Sequence, residues 1–121
     1  MKNAQSKVRA FHRKFGQAVR TKPGQPTDAE RHARSELVRE EFEEFDEELR
    51  HGELVDIARE GSDLIYCVLG AFVECGLEVQ PFFDAIHRAN MTKVRGRGSK
   101  AQKPKGFKDA DLGKILKEQT R

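Results

Sequence analysis

Four carboxylates stand in two like-spaced pairs, Glu41 with Glu44 and Glu60 with Asp63. A separation of three puts both members of a pair on one helix face, a turn apart. Between the pairs lies a break at His51-Gly52, and positions 41/63 and 44/60 are symmetric about residue 52. A chain that doubles back there as an antiparallel helical hairpin brings the four acids together as two level pairs. Carboxylates so gathered repel one another and need a counter-charge. Arg39, Arg50 and Arg59 flank the quartet and offer part of it. A hard divalent cation offers more, and an all-oxygen set points to Mg²⁺, with Mn²⁺ as a substitute, rather than to zinc. Glu40 is turned about 100° from Glu41 on a helix.

The surrounding charge is sharply segregated, although the net value is only +3. Residues 1–27 carry seven Lys/Arg and no acid, residues 28–63 carry fourteen Asp/Glu against five Arg, and residues 86–121 carry eleven basic against three acidic groups. An acidic centre between basic ends suits a metal site with a cationic clamp for a polyanion. The competing class is a basic, helical nucleic-acid-binding protein, but its basic residues form no continuous stripe along one helix, so nucleic acid is an unlikely partner.

The elements that must position these groups read as helices throughout. Residues 4–20 form a first helix with Val8, Phe11, Phe15 and Val19 on one face. The Pro-containing stretch 21–27 is a connector, and Thr27-Asp28-Ala29-Glu30 has the form of a capping box. A second helix runs to about Arg50 with Val38, Phe42, Phe45 and Leu49 as its core stripe. A third extends from Glu53 to Cys75 and ends at Gly76, its half 64–73 being the most buried piece of the chain. A fourth carries Pro81 in its first turn and reaches about Met91. Residues 93–106 hold six Lys/Arg among glycines and are expected to be a mobile basic loop, and a short helix spans Asp109 to Glu118. No strand pattern competes. The fold class is all-α, a four-to-five-helix bundle in one domain covering 1–121.

With Glu40-Glu41-Phe42-Glu43-Glu44 followed by Glu60-Gly61-Ser62-Asp63, the chain resembles the all-α nucleoside triphosphate pyrophosphatase superfamily, which includes MazG-like proteins and dimeric dUTPases. The segments FHRKFG (11–16), DLIY (63–66), HRANMTK (87–93) and KPKGFKDADLGKIL (103–116) extend the resemblance over nearly the whole chain. It implies Mg²⁺-dependent cleavage between the α and β phosphates, and an oligomer whose active site a neighbouring subunit completes. By matching position it makes Glu41, Glu44, Glu60 and Asp63 the metal ligands, and leaves Glu40 either to orient or deprotonate the attacking water or to stand as an ordinary exposed glutamate. Asn90 and Lys93, a turn apart, would hold the sugar or base and a phosphate. Arg95 and Arg97 belong to a basic loop that either closes on the triphosphate or merely solubilises the chain. His12 and Phe15, with Phe11, either stack on a base or belong to the core. Ala110 stands where relatives often carry proline, which loosens any placement of the tail over the site. A deoxynucleotide such as dUTP is the favoured substrate, and phosphoribosyl-ATP the alternative.

Composition sets the remaining expectations. Hydrophobic and charged residues each make up 36%, a thin core for a short chain, so a homo-oligomer, dimer or tetramer, is expected. No long apolar run or leader-like start is present, which points to a cytoplasmic protein and no membrane. Cys67 and Cys75 have no metal-binding or disulfide spacing and are read as free thiols.

Overall fold

Each helix is written into the chain by its ends. The computed structural model describes residues 1–121. It contains α1 (Lys2–Phe15), α2 (Asp28–His51), α3 (Leu54–Cys75), α4 (Val79–Asn90), β1 (Val94–Arg95), β2 (Ala101–Gln102) and α5 (Leu112–Thr120). The class is all-α, as the sequence indicates. The capping box at α2 is complete: Thr27 Oγ1 accepts the Glu30 N–H at 3.1 Å and Glu30 Oε1 accepts the Thr27 N–H at 2.8 Å. Arg20 donates to the same Glu30 oxygen at 2.9 Å, tying the connector to the cap. Gly76 closes α3 in the left-handed conformation, φ 70°.

α3 is the central element, packed on α2 along one side and α1 along another, while α4 rests on α1 and α5. Half of the buried residues, Cys67, Leu69, Gly70, Val73 and Glu74, lie in its C-terminal half. The apolar core itself is Val8, Leu69, Val73 and Val79, with Ala4, Val19 and Phe72 against it. Nearer the hairpin turn, Gly61 lets α2 come close, because a Cβ there would meet the Phe45 ring at 2.9 Å. At the far end, Gln119 of α5 pairs with both backbone groups of Glu78, accepting its N–H at 2.9 Å and donating to its carbonyl at 3.0 Å.

The first helix differs from expectation in extent and in face. It stops at Phe15 because Gly16 adopts the left-handed conformation, φ 70°, so Val19 belongs to the connector. Its buried side is Gln5, Val8 and His12, whereas Phe11 and Phe15 are exposed. Hydrogen bonds explain the exchange: Gln5 donates to Leu77 O at 2.6 Å and accepts from Val79 N–H at 2.8 Å, so it satisfies the α3–α4 turn from inside. On α2, Val38 and Phe45 are half-buried as expected, but Phe42 and Leu49 remain 53% and 55% exposed in the single chain. The basic segment is not featureless either. β1 and β2 pair antiparallel, Val94 with Gln102 and Arg95 with Ala101, and Gly98 supplies the positive φ of the turn.

Candidate functional site

The turn at Gly52 brings the two acidic motifs face to face. Glu41, Glu60 and Asp63 each contribute a carboxylate oxygen to a group whose members lie within 4.8 Å of one another. Glu44 lies close enough for its charge to act on both Glu41 and Glu60. The folded hairpin thus gathers three of the four acids named from sequence into one group, with Glu44 outside it.

Burial, and then the charges of Glu44, Asp63 and Glu40, raise the pKa of Glu41 above the usual carboxylate value. Glu60 is raised by burial, by its close contact and charge interaction with Glu44, and by Asp63 and Glu41. Both residues also hold a shielded oxygen, Glu41 Oε2 and Glu60 Oε2, that meets no hydrogen-bond donor. Buried anionic oxygens without donors are costly. Two of them, on two members of one all-oxygen group, belong to a donor set that fits a hard divalent cation.

Next to the carboxylates opens a cleft of about 350 Å³. Glu41 and Asp63 border one side, Phe11, Leu37 and Tyr66 give it apolar surface, and His12, Gln17, Arg34 and Cys67 make its polar lining. Phe11 meets Tyr66 edge-on at 5.5 Å and Phe15 at 4.7 Å. Two other clefts, of about 410 and 370 Å³, touch Arg34 but reach none of the four acids.

A carboxylate group beside an aromatic-walled cleft suits a ligand with an anionic part and a flat, apolar part. Residues 8–90 match the phosphoribosyl-ATP pyrophosphohydrolase family. The chain belongs to that family. Phosphoribosyl-ATP pyrophosphohydrolases fall within the MazG-like superfamily, so the chain is a nucleotide pyrophosphohydrolase, a hydrolase acting on a phosphoanhydride bond. The match runs from Val8 of α1 to Asn90 of α4, and so includes both acidic motifs and every lining residue of the cleft. Comparison with curated proteins gives no match. No helix of this phosphoribosyl-ATP pyrophosphohydrolase family member is long and apolar enough to cross a membrane.

The other residues named from sequence are placed as follows. Glu40 is exposed beside Glu41 and outside the three-carboxylate group. His12 is only 2% exposed, and both ring nitrogens are engaged: Nδ1 lies 2.9 Å from Ala18 O and Nε2 3.4 Å from Arg34 Nη2. A carbonyl can only accept, so Nδ1 carries the proton and Nε2 faces the guanidinium as an acceptor. Phe15 lies outside the cleft lining, with Lys14 over its ring at 5.5 Å. Asn90, Lys93, Arg95 and Arg97 line no part of the cleft within one chain. Lys93 instead stands 5.8 Å from the Phe107 ring, and neither it nor the two arginines forms an ion pair.

Arg34, Gln17 and Tyr66 escaped the sequence reading. Arg34 carried a signal, because it precedes Glu41 by seven residues and so lies two turns away on the same face of α2. In the composition of an acidic, Arg-dotted helix it passes for one more solvated charge.

Proposed function

We propose that the chain is a Mg²⁺-dependent nucleoside triphosphate pyrophosphohydrolase that cleaves a (deoxy)nucleoside triphosphate to the monophosphate and pyrophosphate. The observation that carries this reading is the pair of donorless, shielded oxygens on Glu41 and Glu60 within the 4.8 Å carboxylate group. Glu41, Glu60 and Asp63, with Glu44 beside them, would hold Mg²⁺ (or Mn²⁺), which would neutralise phosphate oxygens and favour attack at phosphorus. Glu40, at the exposed edge of the group, takes the proton of the attacking water. The water oxygen bonds to the α phosphorus, the bond to the bridging oxygen breaks, and pyrophosphate leaves. Direct attack by water is supported by the state of Cys67 and His12. Both line the cleft, but Arg34 engages each and they do not bond to one another. No thiol–imidazole pair is thus arranged as a nucleophile.

The chain acts as a homo-oligomer in this reading. Leu54 is 85% exposed, and Val55, Phe42, Leu49, Ile65 and Val68 are exposed with it on the two helices that hold the acids. A second copy covers that apolar surface and can bring Asn90, Lys93, Arg95 and Arg97 to the phosphates that the single chain leaves distant from them.

dUTP and other deoxynucleoside triphosphates are the first substrates to test. The family match favours phosphoribosyl-ATP as a second reading. Pyrophosphate release with Mg²⁺ from dUTP, the four dNTPs and phosphoribosyl-ATP separates the two. Accumulation of a nucleoside diphosphate with orthophosphate would overturn α–β cleavage. In the active combination, Glu40→Gln is expected to lower kcat sharply while leaving Mg²⁺ affinity nearly unchanged. A loss of metal affinity equal to that of Glu41→Gln would make Glu40 a ligand instead.

A further inference from the structure

Arg34 crosses from α2 over α3 toward α1, and the path exists because residue 70 has no side chain. A Cβ on Gly70 would lie 2.5 Å from Arg34 Nη1, 2.9 Å from its Cζ and 3.1 Å from His12 Nε2. In that notch the guanidinium is held on three sides. Nε donates to Glu74 Oε1 at 2.6 Å, Nη1 to the Cys67 carbonyl at 3.3 Å and its sulfur at 3.8 Å, and Nη2 to His12 Nε2 at 3.4 Å. Burial works against the charge of Arg34, but the hydrogen bond and charge of Glu74 outweigh it. The side chains of the pair are 14% and 11% exposed.

A guanidinium has five N–H groups. Four are directed to Glu74, to Cys67 (two) and to His12, and the fifth, on Nη2, has no partner. The tip that carries it lies between His12 and Cys67, both of which line the cleft beside Glu41 and Asp63. A polar group fixed by four bonds, with one donor to spare at the edge of an aromatic-walled cleft, has the form of a recognition element. It is an edge reader: it addresses an acceptor in the plane of a flat ligand whose faces meet Phe11, Tyr66 and Leu37.

We infer that Arg34 is a specificity-determining residue that donates its free Nη2–H to a carbonyl oxygen or ring nitrogen of the substrate's nucleobase. Gly70, Glu74 and His12 are positioning residues that hold it there. This rests on the reading of the carboxylates as the phosphate-handling end, since that orientation leaves the cleft to the base. His12 then contributes by fixing the guanidinium, because its own nitrogens are both engaged.

The test compares base-bearing and abasic ligands on the full-length protein. Binding of dUTP and of deoxyribose 5-triphosphate is measured with Mg²⁺ for wild type, Arg34→Lys and Gly70→Ala, together with Mn²⁺ binding without nucleotide. Lysine keeps the charge and can pair with Glu74, but it cannot serve four partners in one plane. Arg34→Lys is expected to weaken dUTP binding about tenfold while leaving the abasic ligand and Mn²⁺ within about twofold, the size of one charge-assisted hydrogen bond. Gly70→Ala, which moves the guanidinium without changing its chemistry, is expected to do the same. Should Gly70→Ala not fold, Arg34→Lys decides alone. Equal weakening of both ligands, or a base preference that survives Arg34→Lys, would overturn the inference, as would a wild type indifferent to the base. A wild type that binds dUTP in preference to the abasic ligand through Arg34, yet releases no pyrophosphate from any substrate, would leave this inference standing and remove the proposed reaction.

Discussion

Two polar clusters lie close together in this small bundle, and they are built on opposite terms. Around Gln5, His12, Arg34 and Glu74, every buried polar side chain finds partners within the chain, across α1, α2 and α3. Around Glu41, Glu44, Glu60 and Asp63, four like charges share a space and two oxygens meet no donor. Folding accounts for every bonded group of the first cluster and leaves over only the spare Nη2–H of Arg34, since buried polar groups are tolerated when they are bonded. It does not account for the second, whose mutual repulsion lowers stability in the free chain and is what the proposed cation would relieve. The contrast separates satisfied from unsatisfied polarity without reference to residue type, because both clusters contain glutamates.

The widest gap between the clusters should open in activity. Glu41→Gln or Asp63→Asn is expected to lower kcat/KM by at least about a hundredfold, beyond the range for an outer-shell metal partner. The metal-free Tm should stay level or rise as repulsion is relieved. A mutant that loses stability without metal, like a core mutant, would erase the distinction. Glu74→Gln should behave the opposite way. Removing one partner of a buried pair costs about 3 kcal/mol, so chemical denaturation of the metal-free protein should show a large loss. A midpoint equal to wild type would mean that Arg34 does not depend on Glu74.

Protons sharpen the comparison further. Glu41 and Glu60 titrate above the usual carboxylate range, so the folded state holds these protons more tightly than the unfolded chain. Their contribution is fully present below the unfolded pKa and is lost as pH rises through the raised folded values. In the proposed site divalent cations would compete with these protons for the same oxygens. Millimolar Mg²⁺ is therefore expected to raise Tm at pH 8, and the rise should shrink steadily toward pH 5. A Mg²⁺ effect of constant size across that range would argue for binding elsewhere. The smallest effect tests a region outside both clusters: Thr27→Ala should cost about 1 kcal/mol through loss of the α2 cap, with the Mg²⁺ response intact.

Much of this was legible in the sequence, and the limits have physical causes. The α2–α3 hairpin, its breaks at Gly52 and Gly76, and the capping box were readable because caps and glycines act locally. The acids were readable because two motifs about one turn encode their own register. The buried face of α1 was misread because apolar spacing selects Phe11 and Phe15, while Gln5 and His12 earn their interior places by bonds to residues more than five positions away. The β1–β2 hairpin gave no signal, since two-residue strands with exposed side chains have no alternation to detect. Phe42 and Leu49 read as core by spacing and lie on the surface of the isolated chain, because spacing identifies a face and not what covers it.

The notch at Gly70 also constrains how such a sequence can drift. A side chain at position 70 clashes with the guanidinium while Arg34 is present, and losing Arg34 alone leaves Glu74 unpaired in the interior. Losing Glu74 alone likewise leaves the guanidinium unpaired, so none of the three single changes is free of cost. The three positions therefore form a lock that opens only when the arginine and its acid go together, with position 70 able to gain a side chain once Arg34 is gone. Among diverging relatives they are expected to change as a set, and a chain bearing a side chain at 70 should have neither the arginine nor its acidic partner.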